Sequence, residues 1–406
     1  MGSQGAKASG ETGFSGNIFI PSYVFLFGAT AISSPYLAIL VRDLGYSPIW
    51  VGIILSLYAG AGIVGPFVFG YWADKVGNYR HALIVSSVLP ALVAVPLVLW
   101  VHPFFSSVFM ALMAFGIKSN PALLDSVTTI QIGQTGNYGK IRVWGSVSFV
   151  VGVLFMQITP FLRPNTAGNI AVWIIVFCVL SALPYFILPA AALSSSTGPK
   201  PLKTTDNTEK GVPLFSAYVI GGMGIIFANS FSMSAVNNYF PLYLTEVLEW
   251  DVVGLMFAVG TTSEIPVIFL SAVLIRRFGS LPLLAIGTAA VALRLAVWAF
   301  LPFPPFVFAS QLLHSLCYGM FFPAMVYFIA GIFPPKNRGK GMSVFVALGT
   351  GLPSLLGTLL GGAVLENVKG YAGFRLLFVI YAAIAAFGVL IYAAMRFGRA
   401  WEERRK

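Results

Sequence analysis

Apolar residues fall along this chain in twelve long blocks, at about 18–41, 49–71, 82–101, 104–132, 138–160, 169–193, 214–243, 252–275, 281–301, 304–333, 341–366 and 371–396, with a few polar, proline or glycine positions between them. A helix needs about 20 apolar residues to cross the hydrocarbon of a bilayer, and it satisfies its own backbone hydrogen bonds there. Each block therefore predicts a transmembrane helix. The longest polar stretch, Ser194 to Gly211, reads as a flexible linker between six spans and six spans. The chain divides accordingly into a polar tail over 1–17, a six-helix bundle over 18–193, a linker over 194–213, a second six-helix bundle over 214–396 and a basic tail over 397–406.

Composition strengthens this division. Hydrophobic residues make up 58% of the 406 and charged residues 9%, whereas soluble domains carry about 25% charged residues. The net charge of +11 is spread by topology and does not form a nucleic-acid-binding patch. With the N-terminus inside, seventeen Lys and Arg fall on the inner side, four (Arg42, Arg163, Lys369, Arg375) on the outer side and three within spans. An excess of basic residues in cytoplasmic loops sets orientation. Both termini are thus expected in the cytoplasm, with the chain a multi-pass protein of the cell (inner) membrane. The acidic cluster Glu246, Glu249 and Asp251 then lies outside. No charged region precedes a cleavable apolar core, so the first span is expected to serve as an internal signal.

Candidate chemistry lies inside the apolar blocks. Lys118, Asp125, Arg142, Glu264, Arg294 and His314 are ionisable residues in the middle of spans. A charge at the bilayer centre costs roughly 3 kcal/mol on insertion scales, and more on an isolated helix in simulation. Such groups are kept where they line a wet cavity and bind or move something polar. Cys178 and Cys317 lie within spans and suggest neither a disulfide nor a metal site. There is no phosphate-binding loop, nucleophile elbow or metal-ligand His/Glu spacing, so neither an enzyme nor a cofactor or metal is expected.

The halves echo each other. Phe69-Gly70-Tyr71-Trp72-Ala73-Asp74-Lys75-Val76-Gly77 and Ser271-Ala272-Val273-Leu274-Ile275-Arg276-Arg277-Phe278-Gly279 both carry a span end, a charged pair, a bulky apolar residue and a glycine turn, 202 residues apart. Duplicated halves place a substrate site between them near the midplane. The run from Gly70 through Asp74, Lys75 and Gly77 to Arg80 resembles the loop signature of the major facilitator superfamily. The resemblance implies an all-α membrane protein of twelve transmembrane helices in two six-helix pseudo-symmetric halves. It also implies that Gly70, Asp74, Lys75, Gly77 and Arg80 gate the cytoplasmic side, with Gly70 allowing close helix approach and Asp74 capping a helix and pairing with a cation.

A finer resemblance, to the lactose permease and phenylpropionate permease branch, begins at Tyr138-Gly139-Lys140-Ile141-Arg142-Val143-Trp144-Gly145. In that branch an arginine at the position of Arg142 reaches the substrate. Phe149 stands where the lactose permease stacks an aromatic on the sugar, and Asp125 lies close to the acidic partner on the fourth helix. Arg294 and His314 follow Gly279 at matching spacings. The resemblance departs at Cys317, which stands where the lactose permease has its coupling glutamate, and at Lys118, which has no counterpart there. Glu264 sits about one turn from the permease's eighth-helix glutamate. This set of charges is more like the phenylpropionate-permease relatives.

Substrate binding is accordingly expected from Asp125, Arg142, Phe149 and Lys118, and proton coupling from Glu264, Arg294 and His314. Each has a plainer reading. Asp125 with Arg142, or Glu264 with Arg294, could be a structural pair, although buried pairs are often neutral for stability. His314 could be a hydrogen-bonded core residue, and Lys118 could snorkel to the interface. The expected function is secondary active transport of a small solute by alternating access, as symport with a proton, with the lipid bilayer as surroundings and a monomer as the unit. Bases outnumber acids in the spans, favouring an organic anion such as an aromatic carboxylate, with a sugar or nucleoside next. The rival readings are a proton-independent facilitator or exporter, and a non-transporting sensor or scaffold on the same fold.

Overall fold

The computed structural model describes residues 16–132, 138–194, 213–333 and 338–405. Twelve helices among them are long and apolar enough to span a bilayer: α1 (Gly16–Ser33), α2 (Pro48–Val76), α3 (Arg80–Leu99), α4 (Pro103–Gln131), α5 (Tyr138–Ile158), α6 (Ala167–Ile187), α7 (Ala217–Val247), α8 (Val253–Phe278), α9 (Ser280–Phe300), α10 (Pro304–Ala330), α11 (Ser343–Asn367) and α12 (Gly370–Phe397). Most of the expected linker, residues 195–212, lies outside the described residues.

Local chemistry sets several boundaries. The Thr166 hydroxyl accepts from the Asn169 amide at the start of α6, and the Ser216 hydroxyl from the Val219 amide at the start of α7. Gly77 ends α2 at φ +72°, the left-handed conformation that glycine reaches without strain. The first span is not continuous as expected. It stops at Ser33 and resumes as a short helix, Leu37–Asp43. Pro35 supplies the reason, because it has no N–H to continue the helical hydrogen bonds and its ring crowds the preceding turn. The last helix runs past 396 to Arg405.

The buried apolar residues show how the halves sit. One core cluster is confined to the first half, with Tyr23, Phe69, Leu83, Leu124 and Tyr185 among its members. A second is confined to the other half, with Ile225, Leu284, Phe321 and Phe328. A third joins both halves, from Ile32, Leu40 and Ile54 to Tyr239, Trp298 and Tyr381. The molecule is therefore fused at one end and has separate cores at the other. Two seams cross between the halves, α2 against α11 and α5 against α8. They exchange under the six-helix offset, as pseudo-symmetric halves require.

Contacts at the fused end are close and partly polar. A Cβ placed on Gly52 of α2 would lie 2.8 Å from the Gly362 Cα of α11. Arg42 Nε lies 2.7 Å from Glu246 Oε1, and Arg163 Nη1 lies 2.6 Å from Asp251 Oδ2. Gln157 donates to the Asp251 carbonyl at 2.6 Å and accepts from the Gly254 amide at 2.9 Å. Pairs exposed to this degree contribute about 0–1 kcal/mol each, so they close the end without locking it. This is the face that the charge distribution assigns to the outside. The acidic cluster of the sequence thus has partners in Arg42 and Arg163, a pairing that opposite charge alone could have suggested.

Candidate functional site

In the first half, α4 presents Asp125 and α5 presents Arg142. Arg142 Nε lies 4.0 Å from Asp125 Oδ1. The Tyr23 hydroxyl of α1 donates to the same oxygen at 2.7 Å, and Tyr138 also faces this carboxylate. The Arg142 guanidinium lies over the Phe27 ring, 4.0 Å from its centroid. Gly145 makes room for that stack, since a Cβ there would sit 2.7 Å from the Phe27 ring. Both ionic side chains keep about a third of their surface open, 33% and 38%, so the pair is accessible to solvent or ligand. Phe149, one turn beyond Gly145, is half-buried against the shared core.

The second half holds a hydrogen-bonded chain. His314 Nε2 on α10 lies 2.7 Å from Glu264 Oε1 on α8. Arg294 Nη1 on α9 lies 3.0 Å from His314 Nδ1. Its other terminal nitrogen donates to the Gln311 side chain, and the guanidinium stacks 5.0 Å from the Trp298 ring centroid. Glu264 and Arg294 are both buried. The sequence suggested that they pair directly. Among the described residues His314 stands between them instead, and Gln311 joins the chain unforeseen. A glutamine three residues before the histidine shares its helix face, which was the available signal.

This geometry fixes a protonation pattern. Arginine only donates, so His314 Nδ1 accepts and the ring proton is assigned to Nε2, where it donates to Glu264. A protonated ring would carry hydrogen on both nitrogens and would have to release Arg294. Among the described residues Arg294 Nε is also buried without a hydrogen-bond partner. A π-helical turn, Ser315–Met320, follows His314 immediately, and such wide turns often occur at functional positions. Tyr318, in that turn, stacks on the His314 ring at 5.8 Å. It lies within electrostatic reach of both Glu264 and Arg142, which ties this chain to the Asp125 cluster.

Lys118 is elsewhere. It lines a cavity of about 660 Å³ between the halves, walled by α1, α2 and α4 on one side and by α7 and α11 on the other. Asp125, Arg142, Glu264, Arg294, His314 and Phe149 do not line it. The expected binding set is therefore divided: Asp125 and Arg142 come together, Phe149 lies one turn beyond Gly145, and Lys118 belongs to a separate chamber.

The loop signature is in place but disengaged. Tyr79 donates to Asp74 Oδ1 at 2.8 Å, and burial with this hydrogen bond holds the Tyr79 hydroxyl well above its ordinary pKa. Arg80 donates to the Leu188 carbonyl, and Lys75 is exposed. These contacts stay within the first half. Among the described residues Asp74 makes no ion pair. Among the described residues nothing lies within 4 Å of a Cβ placed on Gly70, so none of them makes the close helix approach expected there.

The sequence profile of the MFS_1 like family matches residues 20–376. The chain belongs to the MFS_1 like family. It is 27% identical over 377 residues to an uncharacterised transporter, YwbF, of Bacillus subtilis, covering 91% of each chain. It is 26% identical over 402 residues to a maltose permease of Geobacillus stearothermophilus, covering 95% of this chain and 96% of that one. A segment of 134 residues, 32% of this chain and 34% of the relative, is 27% identical to a probable 3-phenylpropionic acid transporter of Escherichia coli. Among solved structures, the nucleoside transporter NupG superposes with a TM-score of 0.75 at 16% identity, over 94% of this chain and 99% of that one. The fold is that of the major facilitator transporters, and this MFS_1-like chain is a multi-pass membrane transporter.

Proposed function

We propose that this protein takes up a small organic solute together with a proton by alternating access, and that the structure is its inward-open state. The observation that carries this reading is the Glu264–His314–Arg294–Gln311 chain. Its histidine faces an arginine that only donates, so a proton gained on that ring nitrogen would have to break the contact and rearrange the chain. A carboxylate in a low-dielectric site favours the proton, and an approaching arginine favours the charge. Arg294 would therefore drive the proton off Glu264 when it replaces His314 as partner. The fused end, which positive-inside bias assigns to the outside, supports the inward-open assignment. Bases exceed acids among the intramembrane side chains, so an organic anion is the leading solute class. Similarity to a maltose permease makes a sugar the second.

The Asp125–Arg142 cluster is read as the part of the site that reports the solute. Arg142→Ala and Asp125→Ala are each expected to weaken solute binding tenfold or more while the protein remains folded, since either change leaves a charge unpaired (roughly 1.4 kcal/mol per tenfold). Ligand-induced thermal stabilisation measures this, and unchanged affinity in either variant would remove the pair from the site. At the loop end, Asp74→Ala is expected to leave binding intact and slow turnover by favouring the conformation described above. Distances between spin labels at Tyr71 and Phe278, both exposed, should show a narrowed distribution at the long separation. An unaltered distribution would deny Asp74 a gating part.

A further inference from the structure

The chamber between the halves has an unbalanced charge. Lys118 is the one charged side chain among the described residues that line it, and among those residues its ammonium forms no ion pair. The Lys118 Nζ instead lies over the Tyr58 ring, 5.6 Å from the centroid. The Tyr58 side chain also lines the chamber. It is only 7% exposed, and its hydroxyl has no hydrogen-bond partner among the described residues. The cation thus rests on an aromatic face of one wall, while the Tyr58 hydroxyl itself is buried behind that wall.

The surroundings are built to hold Lys118 there. Gly62 faces the aliphatic stem of Lys118, and a Cβ at Gly62 would sit 2.9 Å from Lys118 Cγ. Across the chamber, a π-helical turn over Ala235–Tyr239 carries Asn237 onto the lining, and a second over Ala347–Gly351 carries Thr350. The remaining wall includes Leu55, Ile63, Phe67 and Val346. The volume, about 660 Å³, falls in the range of about 300–1,000 Å³ that suits a small organic ligand.

We propose that this chamber is the anion subsite of the transporter and that it takes an organic monocarboxylate, whose carboxylate pairs with the Lys118 ammonium while its apolar body lies against Leu55, Ile63, Phe67 and Val346. The proposal rests on the transporter reading above. Charge balance selects the class. A neutral solute leaves the ammonium without a counter-charge, and a dianion brings one charge too many. Among the described residues no acid lines the chamber, so the counter-charge is expected to come with the ligand.

The test uses the full chain, purified in lipid nanodiscs, with 3-phenylpropionate as probe and its uncharged amide and maltose as controls. Thermal unfolding with increasing probe gives the affinity. Wild type should be stabilised by the carboxylate at concentrations where the amide has no effect. Lys118→Gln should weaken carboxylate binding at least tenfold, Lys118→Arg should retain most of it, and Gly62→Ala should weaken it by displacing the lysine stem without removing its charge. Equal responses to carboxylate and amide, no response to any of the three compounds, or a carboxylate response that survives Lys118→Gln would overturn the subsite. Stabilisation by maltose alone, alike in wild type and Lys118→Gln, would overturn it and leave the transporter reading standing. Lys118-dependent carboxylate binding with no counterflow of labelled carboxylate in proteoliposomes would support the subsite and contradict the transporter reading.

Discussion

Glu264→Gln is expected to abolish solute accumulation driven by a pH gradient while leaving exchange of solute across the membrane intact. Glutamine keeps the shape of the side chain and can still accept from His314 Nε2, which lies 2.7 Å from Glu264 Oε1 in the native chain. It cannot ionise, so Arg294 has no proton to expel from this position when the chain rearranges. The variant should behave as permanently protonated. The accumulation ratio should fall to about one, the limit for a carrier that has lost its coupling ion, while exchange needs only the loaded form. Proteoliposomes with and without an imposed pH gradient separate the two modes. Accumulation at the wild-type level would exclude Glu264 and leave Asp125 as the acid to test.

Gly362→Leu should have the second largest effect. A Cβ at Gly362 would already lie 2.7 Å from the Pro48 carbonyl oxygen and 2.8 Å from the Gly52 Cα, so a leucine cannot be seated while α2 and α11 touch. Overpacking typically costs about 1–3 kcal/mol. The two ion pairs at this end are exposed and oppose it by about 0–1 kcal/mol each. The balance favours separation at the fused end, by about tenfold for each 1.4 kcal/mol. Turnover should fall to background with solute binding retained. Spin labels at Asn165 and Glu249, exposed positions in different halves at this end, should report a longer separation than in the wild type. An unchanged separation with normal turnover would mean that the glycine contact is incidental.

Much of the architecture was written in the apolar blocks, because a bilayer leaves a spanning segment few alternatives to a helix. The break after Ser33 was legible only as a proline, Pro35, which can kink a span as easily as end it. Site residues were legible as residue types, because an ionisable side chain in an apolar span calls for a reason. Their partners were not, since pairing depends on helix rotation and on the π-helical turns in α7, α10 and α11, which carry no sequence signature. Arg294 was therefore expected to meet Glu264 directly, and the intervening His314 ring and Gln311 amide emerged only from the packing of α8, α9 and α10. Lys118 was expected to share a site with Asp125, two turns further along α4. It faces α2 instead, where Gly62 yields room that no periodicity in the sequence records.

The most direct test of alternating access is a pair of distance distributions recorded together, one between labels at Asn165 and Glu249 on the fused end and one between labels at Tyr71 and Phe278 on the open end. Cys178 and Cys317 are buried, which keeps background labelling low. As pH is lowered in the presence of 3-phenylpropionate, the account predicts reciprocal change: the first distance gains a longer population as the second gains a shorter one. Both distances moving in the same sense, or one fixed while the other moves, would contradict it.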